Sequence, residues 1–495
     1  MRMIAVLIFI SFAIPGAAHA QAISEADLLG HIEVLASDAF EGRAPGTAGE
    51  NKTVNYIATQ WALAGLKPAG ESGSWYAPVP LVERTPTRSR ISFLNESRGK
   101  TLRMKQDQII LRSRDRSFDH SNIPVVFAGY AGSTLAVAGK LVLLPRKPPA
   151  DSDGLPDYRN RKLQLIQQGA VGVIAIIEEQ KRWPRFRRFF ERGSTGLAYP
   201  GNHAALEGLI SFDQFRKLVR QSDHNAKQLI AERAAISIVK LGLSADALVE
   251  TQLRSYTSHN VIGKIAGTNP KSGALLFMGH WDHFGECRIE DPLEPEKDRI
   301  CNGAVDNASG ISLLIETAKR LSGDAPERDI YYLATTAEEK GLLGARAFVN
   351  SPPIALQKFK LVFNADTIAL SDDGEKIAVI GLGQAGPDSD IEIVAKREGR
   401  QIDRTGNADV YVKRQDGYVF LERDIPAYMI TSAFADEERL EAFINGPYHD
   451  VSDEVNDTLE LTGAAADANF HVALGRYFSS TATYPGKVTS GSADN

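Results

Sequence analysis

The chain has 495 residues, 43% of them hydrophobic and 24% charged, with a formal net charge of −6. That length exceeds one typical domain and the apolar content suffices for two or three buried cores, which excludes a disordered or low-complexity protein. The acidic balance, with no basic tail, excludes nucleic acid as the main partner.

Met1-Arg2-Met3, the largely apolar run Ile4 to Ile14, Pro15, and Ala18-His19-Ala20 before Gln21 carry the n-region, h-region and A-x-A cleavage site of a signal peptide over residues 1–20. The apolar run falls short of the roughly 20 residues that span a bilayer, and the residue after Ala20 is not Cys. An exported chain, periplasmic or secreted and without a stable membrane anchor, is therefore expected. From Ile23 to about Pro68 the pattern is helical. Ser24 with Asp27 imitates a capping box, and Thr53, Ile57, Trp61 and Ala64 share one helical face ending at Gly65. Between these stretches, the Gly- and Pro-rich run Phe40 to Gly49 reads as a loop.

A second pattern occupies residues 91–245. Val125 to Ala128, Lys140 to Leu144 and Val171 to Ile177 read as strands, and Arg159 to Gln168 as a helix stopped by Gly169. The run Lys181-Arg182-Trp183-Pro184-Arg185-Phe186-Arg187-Arg188-Phe189-Phe190 reads as a surface loop with its aromatics packed underneath. Residues 246–484 then alternate short buried strands with amphipathic helices, and 485–495 form a Gly/Ser-rich flexible tail. The strands are Ala274 to Met278, Asp329 to Thr335, Leu361 to Asn364, Lys376 to Ile380 and Ala427 to Thr431, and Ile311, Leu314, Ile315, Ala318 and Leu321 make a helix stripe opened by Ser309-Gly310. The fold class is α/β: a mixed, mainly parallel central sheet covered by helices on both faces, with an inserted α/β domain.

Five residues of metal-ligand type stand in five separate segments: His280, Asp306, Glu339, Asp366 and His449. All but His449 fall at or just past the C-terminal end of a predicted strand or in the loop leading to the next helix, the edge at which open α/β sheets bind ligands. Two imidazoles and three carboxylates suit a pair of zinc ions sharing one carboxylate. Asp282 follows His280 by two residues and is placed to orient the ring, while His283 is a further imidazole behind the ligands or facing substrate. In Glu338-Glu339 one carboxylate is suited to a metal and the other to taking and returning a proton. Cys287 and Cys301 are the only cysteines, and an oxidising compartment favours a disulfide between them.

The order His280-x-Asp282, Gly303-Ala304-x-Asp306-Asn307-x-Ser309-Gly310, Ala337-Glu338-Glu339-x-Gly341-Leu342-x-Gly344, Asn364-x-Asp366 and Tyr448-His449 resembles the co-catalytic zinc exopeptidases that include bacterial leucine aminopeptidase, aminopeptidase Y and glutamate carboxypeptidase II. Glu41-Gly42-Arg43, Gly46-Thr47, Tyr56-Ile57 and Gly65-Leu66-Lys67-Pro68 are similar to that family's N-terminal segment. Val126 to Tyr130, Gly139-Lys140 and Gly169-Ala170-Val171-Gly172 resemble a protease-associated domain. The resemblance implies residues 21–90 and 246–484 as the zinc-peptidase domain and 91–245 as the inserted domain. It implies one zinc on His280, Asp306 and Asp366 and another on Asp306, Glu339 and His449, with Glu338 as general base and Asp282 orienting His280. An aminopeptidase acting on peptide substrates is the reading it favours. A carboxypeptidase of the same family and a non-catalytic peptide-binding or receptor ectodomain are the alternatives. Where that family carries Ser-Asp-His, this chain has Gln415-Asp416-Gly417. The polarity of cleavage follows from the surroundings of the metals: the motifs offer acids suited to an α-ammonium group, with Arg288 and Arg346 the nearest cations in sequence apart from Lys340.

Overall fold

The computed structural model describes residues 21–95, 97–149, 154–191, 193–198, 205–287, 297–383, 386–457 and 459–485. The expected signal peptide, Arg288, and all of the expected tail except Pro485 lie outside the described residues. Among the described residues no helix is long and apolar enough to cross a membrane. The chain forms two units, residues 1–78 with 259–495, and residues 79–258. The sequence boundaries at 90 and 245 fall within two strands, Tyr76–Asn95 and Ile238–Ile265, that run on without a break. Their polar, proline- and arginine-bearing stretches hide that continuity from a hydrophobic pattern.

In the larger unit the sheet order is Gln401–Ile402, Lys376–Ile380, Ala427–Thr431, Phe359–Asn364, Ala274–His280, Asp329–Thr335 and the Val261–Ile265 end of the long strand. Strand Ala274–His280 pairs in parallel with both neighbours, as Phe359–Asn364 does with Ala427–Thr431, while Lys376–Ile380 and Val261–Ile265 run antiparallel. The sheet is therefore mixed and mainly parallel. Alternate side chains serve opposite faces. Leu275, Phe277, Leu361 and Phe363 pack with Ile32, Ile57, Leu314 and Phe478 from the helices Glu25–Leu35, Ala48–Leu63, Gly310–Leu321 and Thr462–Ser479. Leu276, Met278, Leu333 and Val362 pack on the other face with Phe348 and Phe420. Phe277, stacked on Tyr332 with ring centroids 5.4 Å apart, is fully buried, and its truncation to Ala costs about 3–5 kcal/mol.

Local expectations fare unevenly. The Ser24–Asp27 capping box is present, and strands Asp329–Thr335, Lys376–Ile380 and Ala427–Thr431 have the expected bounds. The stretch expected as a loop from Phe40 to Gly49 instead holds a 3-10 turn over Asp38–Arg43 and the start of helix Ala48–Leu63, because Thr47 caps that helix by accepting from the Glu50 amide. Ser309 does not cap its helix with its side chain. Its hydroxyl donates to the Val305 carbonyl and accepts from the Ile368 amide, tying two loops together.

In the smaller unit, strands Ser117–Ala128, Leu141–Pro145, Gly172–Ile177 and Leu206–Ser211 are parallel in that order, with Ile109–Ser113 antiparallel at the edge. Helix Tyr158–Gln167 covers one face through Leu165 and helix Phe212–Val219 the other through Phe215 and Leu218. The basic-aromatic run is a helix, Trp183–Glu191, rather than a loop. Its Phe186 and Phe190 pack on Ile110, Ala175, Ile177 and Leu209, which supplies the apolar face that a loop reading lacks.

Candidate active site

Parallel register brings the ligand-bearing loops to one edge of the larger unit's sheet. His280 ends its strand opposite Thr335, so Glu338 and Glu339 leave the neighbouring strand at the same level. On the other side Met278 pairs with Asn364, which sets Asp366 beside them. Asp306 arrives on the turn before helix Gly310–Leu321, where Gly303 has φ +59° and a Cβ would lie 2.2 Å from the Asp306 carbonyl oxygen, so only glycine fits.

The five expected ligands meet. His280 Nε2 lies 3.2 Å from Asp306 Oδ1 and 3.5 Å from Asp366 Oδ1. His449 Nε2 lies 3.2 Å from Asp306 Oδ2 and 3.3 Å from Glu339 Oε2. The two oxygens of Asp306 thus face two different donor sets. His283 joins the second set from behind, with Nδ1 3.0 Å from Glu339 Oε1 and its other nitrogen buried without a partner. The ligand atoms of His280, Asp306 and Asp366 cluster tightly enough for one metal ion, as do those of His283, Asp306 and Glu339. His283 is thus a closer candidate for the second ion than its expected place behind the ligands gave it.

Asp282 differs in detail from its expected role. The His280 Nδ1 hydrogen-bonds the main-chain oxygen of Asp282 at 3.1 Å, and the carboxylate stands 4.0 Å away because it turns to accept from the Glu338 amide at 3.0 Å. Asp282 therefore joins the His280 loop to the Glu338 loop.

Several residues that hold the loops escaped sequence reasoning. The fully buried Arg43 donates to the carbonyls of Leu35, Trp281, Asn302 and Gly303, so one guanidinium clamps the His280 and Asp306 loops. Asn307 donates to the His280 and Ala365 carbonyls and accepts from the Gly310 and Thr367 amides, joining three ligand loops. Asp453 accepts from the amides of Val305 and Asp306 at 2.9 and 3.1 Å. The motif Glu41-Gly42-Arg43 and the Asp306-Asn307 pair were the available signals for the first two.

Electrostatics favour a cation here. Burial, reinforced by Asp306 and Glu338, pushes the Glu339 carboxyl well above its ordinary range. Burial also raises Glu338, against the pull of His280 and with the push of Asp416 and Asp366. Among the described residues no Lys or Arg lies within salt-bridge distance of Asp306, Glu338, Glu339 or Asp366. A buried acid set met at contact distance by imidazoles, with the Arg43 guanidinium acting on Asp306 and Glu339 from further off, is a donor set of the kind zinc takes, and the residues fit the metal. Beside it a small cavity of about 50 Å³ is walled by Met429, Phe434, Leu440, Phe443 and Ile444, and His280, Asp306, Glu338 and Asp366 also line it. The arrangement presents an apolar side-chain pocket next to metal ligands and a protonatable carboxyl.

Comparison with known proteins agrees with this picture. Residues 260–473 match the model of Peptidase family M28. A stretch covering 48% of this chain is 27% identical over 248 residues to 44% of a probable leucine aminopeptidase 2 from Aspergillus fumigatus. Another, covering 20% of this chain, is 32% identical over 97 residues to 9% of a vacuolar membrane protease from Candida glabrata. The matched stretches span less than half the length of these curated relatives. The structure of an aminopeptidase from Aneurinibacillus sp. strain AM-1 superposes with a TM-score of 0.53 at 17% identity, covering 92% of this chain and 94% of that chain, which shows a shared fold.

Proposed function

We propose, from the match of residues 260–473 to the model of Peptidase family M28, that the protein is an exported di-zinc aminopeptidase that removes N-terminal residues from peptides. The observation that carries this reading is Asp306, whose two carboxylate oxygens face His280 and His449 separately. One zinc would be held by His280, Asp306 and Asp366, the other by Asp306, Glu339 and His449, with His283 against Glu339. Bound there, zinc supplies a Lewis acid for the scissile carbonyl and a lowered pKa for water. Glu338 takes the proton of the attacking water and returns it to the leaving amine, which its place in the cavity wall beside the ligands suits it to do. Asp282 fixes the Glu338 loop by accepting from its amide. The apolar wall receives the side chain of the N-terminal residue, and the acids neutralise its α-ammonium group.

Export rests on the N-terminal residues 1–20 and on the disulfide between Cys287 and Cys301. The inserted unit is assigned as a protease-associated domain on its sequence pattern. The carboxypeptidase alternative needs a cationic receptor near the metals; Arg346 is engaged by Glu422 at 2.9 Å, whereas Arg414 lines the cavity. The polarity therefore rests on the acids around the metals and is decided by the substrate panel. The test is a panel of aminoacyl arylamides and N-blocked peptides, with and without chelator. Chelator-sensitive release from free amines, abolished by acetylation, is expected. Release of C-terminal residues from N-acetylated peptides would reverse the polarity.

A further inference from the structure

At the rim of the substrate cavity stands an exposed cation that the catalytic account leaves unused. Arg414 lines the cavity together with His280, Asp306, Glu338 and Asp366. It lies at the end of the turn Asn407–Arg414, with its guanidinium carbon 5.2 Å from the centroid of the Tyr411 ring, another residue of the cavity wall. Other arginines of this unit are engaged by acids: Arg400 by Asp467, Arg404 by Glu392, and Arg439 by Asp372, Asp436 and Glu460. Among the described residues Arg414 meets no carboxylate.

Arg414 is the one Lys or Arg among the described residues that line the cavity, whose other polar side chains are His280, Thr367, Tyr411, Gln415, Tyr448 and the acids. The apolar wall offers no partner for a charge, and the acids repel an anion. A guanidinium lying over an aromatic ring keeps its donor edge free and planar, the geometry that receives a carboxylate through two parallel hydrogen bonds. We propose that Arg414 is the substrate-carboxylate receptor of this cavity and sets specificity toward substrates with a carboxylate close to the cleaved bond. Two sources share that chemistry: the C-terminal carboxylate of a dipeptide, and the side-chain carboxylate of an acidic N-terminal residue. The inference rests on the aminopeptidase reading and adds to it a substrate class.

The experiment compares matched pairs on the full-length, zinc-loaded protein. One arm measures kcat/KM for leucyl-leucine against leucyl-leucinamide, and the other for glutamyl against glutaminyl p-nitroanilide. A third readout, calorimetry with the uncleavable reduced-bond analogue of leucyl-leucine and its amide, reports Kd without turnover. The expected result is a preference of about tenfold or more for the carboxylate form in one arm, which names the source. Arg414→Met should bring that ratio near one, and Arg414→Lys should keep part of it. Ratios near one in both arms for the unaltered protein would overturn the proposal, as would a preference that survives in Arg414→Met. If Arg414→Met does not fold, the Arg414→Lys ratio decides, with no fall counting against the assignment. Hydrolysis with ratios near one removes this proposal alone, whereas no chelator-sensitive hydrolysis of any free-amine substrate removes the parent reading as well.

Discussion

Each unit buries acids inside an α/β sheet, yet the two treat them in opposite ways. In the smaller unit the nearly buried Glu207 meets Arg112 at 2.8 Å and Lys162 at 2.6 Å. Burial pushes its carboxyl up, but these two cations outweigh burial and hold it at about 2. Around the metal ligands of the larger unit burial prevails for most acids: Asp282 is pushed up to about 6, Asp416 and Asp453 to about 7, and Glu338 and Glu339 well above their ordinary range, while Asp306 is held, against its burial, well below its own by His280 and His449. Burial alone therefore says little about purpose. An acid whose cost is met by the protein's own cations is structural, and a group of acids whose cost is not met is where an external cation and proton chemistry belong.

The sharpest way to break this contrast is to neutralise one acid of each kind. Glu338→Gln should lower kcat by about 10²–10⁴-fold while zinc content stays the same and the melting temperature does not fall, because the removed charge was costly to bury. Near-normal turnover with full zinc content would take Glu338 out of the mechanism. Glu207→Gln should do the reverse and destabilise the fold by about 3 kcal/mol, the order of magnitude set by a carboxyl depressed from 4.5 to about 2. Because that carboxyl is depressed, its contribution is present above pH 4.5 and lost as pH falls toward 2. Denaturant unfolding at pH 7 and pH 3 checks both the size and the sign, and equal losses at the two pH values would show that Glu207 is not held by its cations.

A smaller effect separates the units by pH. Asp416 and Asp453 are raised from 3.8 to about 7, so between those values the folded chain binds more protons than the unfolded one. Their contribution is full below about pH 4 and disappears as pH rises through 7. Zinc should therefore raise the melting temperature of the chelated protein by several degrees more at pH 7.5 than at pH 5.5. Equal shifts at the two pH values would mean that the acid cluster is not what the metal relieves.

The centre of the larger unit was largely legible in its sequence, since a parallel sheet converts strand ends into one edge and the ligand types occur at those ends. What holds the ligands was not. Asp453 reaches Val305 across 148 residues and Arg43 reaches Gly303 across 260, and contacts that distant leave no periodic trace. Arg414 was hidden for the same reason: no ligand lies near it in sequence, and only the fold sets it beside Tyr411 in the metal-lined cavity. In the smaller unit the buried strands were readable as apolar runs, whereas the helix Trp183–Glu191 was concealed by three arginines and a proline in a short stretch.

The central claim, that Asp306 joins two metal positions at the buried acids, is tested most directly by counting zinc in the purified full-length protein and in two variants by elemental mass spectrometry. The account predicts about two zinc ions per chain in the unaltered protein, almost none in Asp306→Ala and about one in Glu339→Ala. One zinc in the unaltered protein, or equal single-ion losses in both variants, would contradict it.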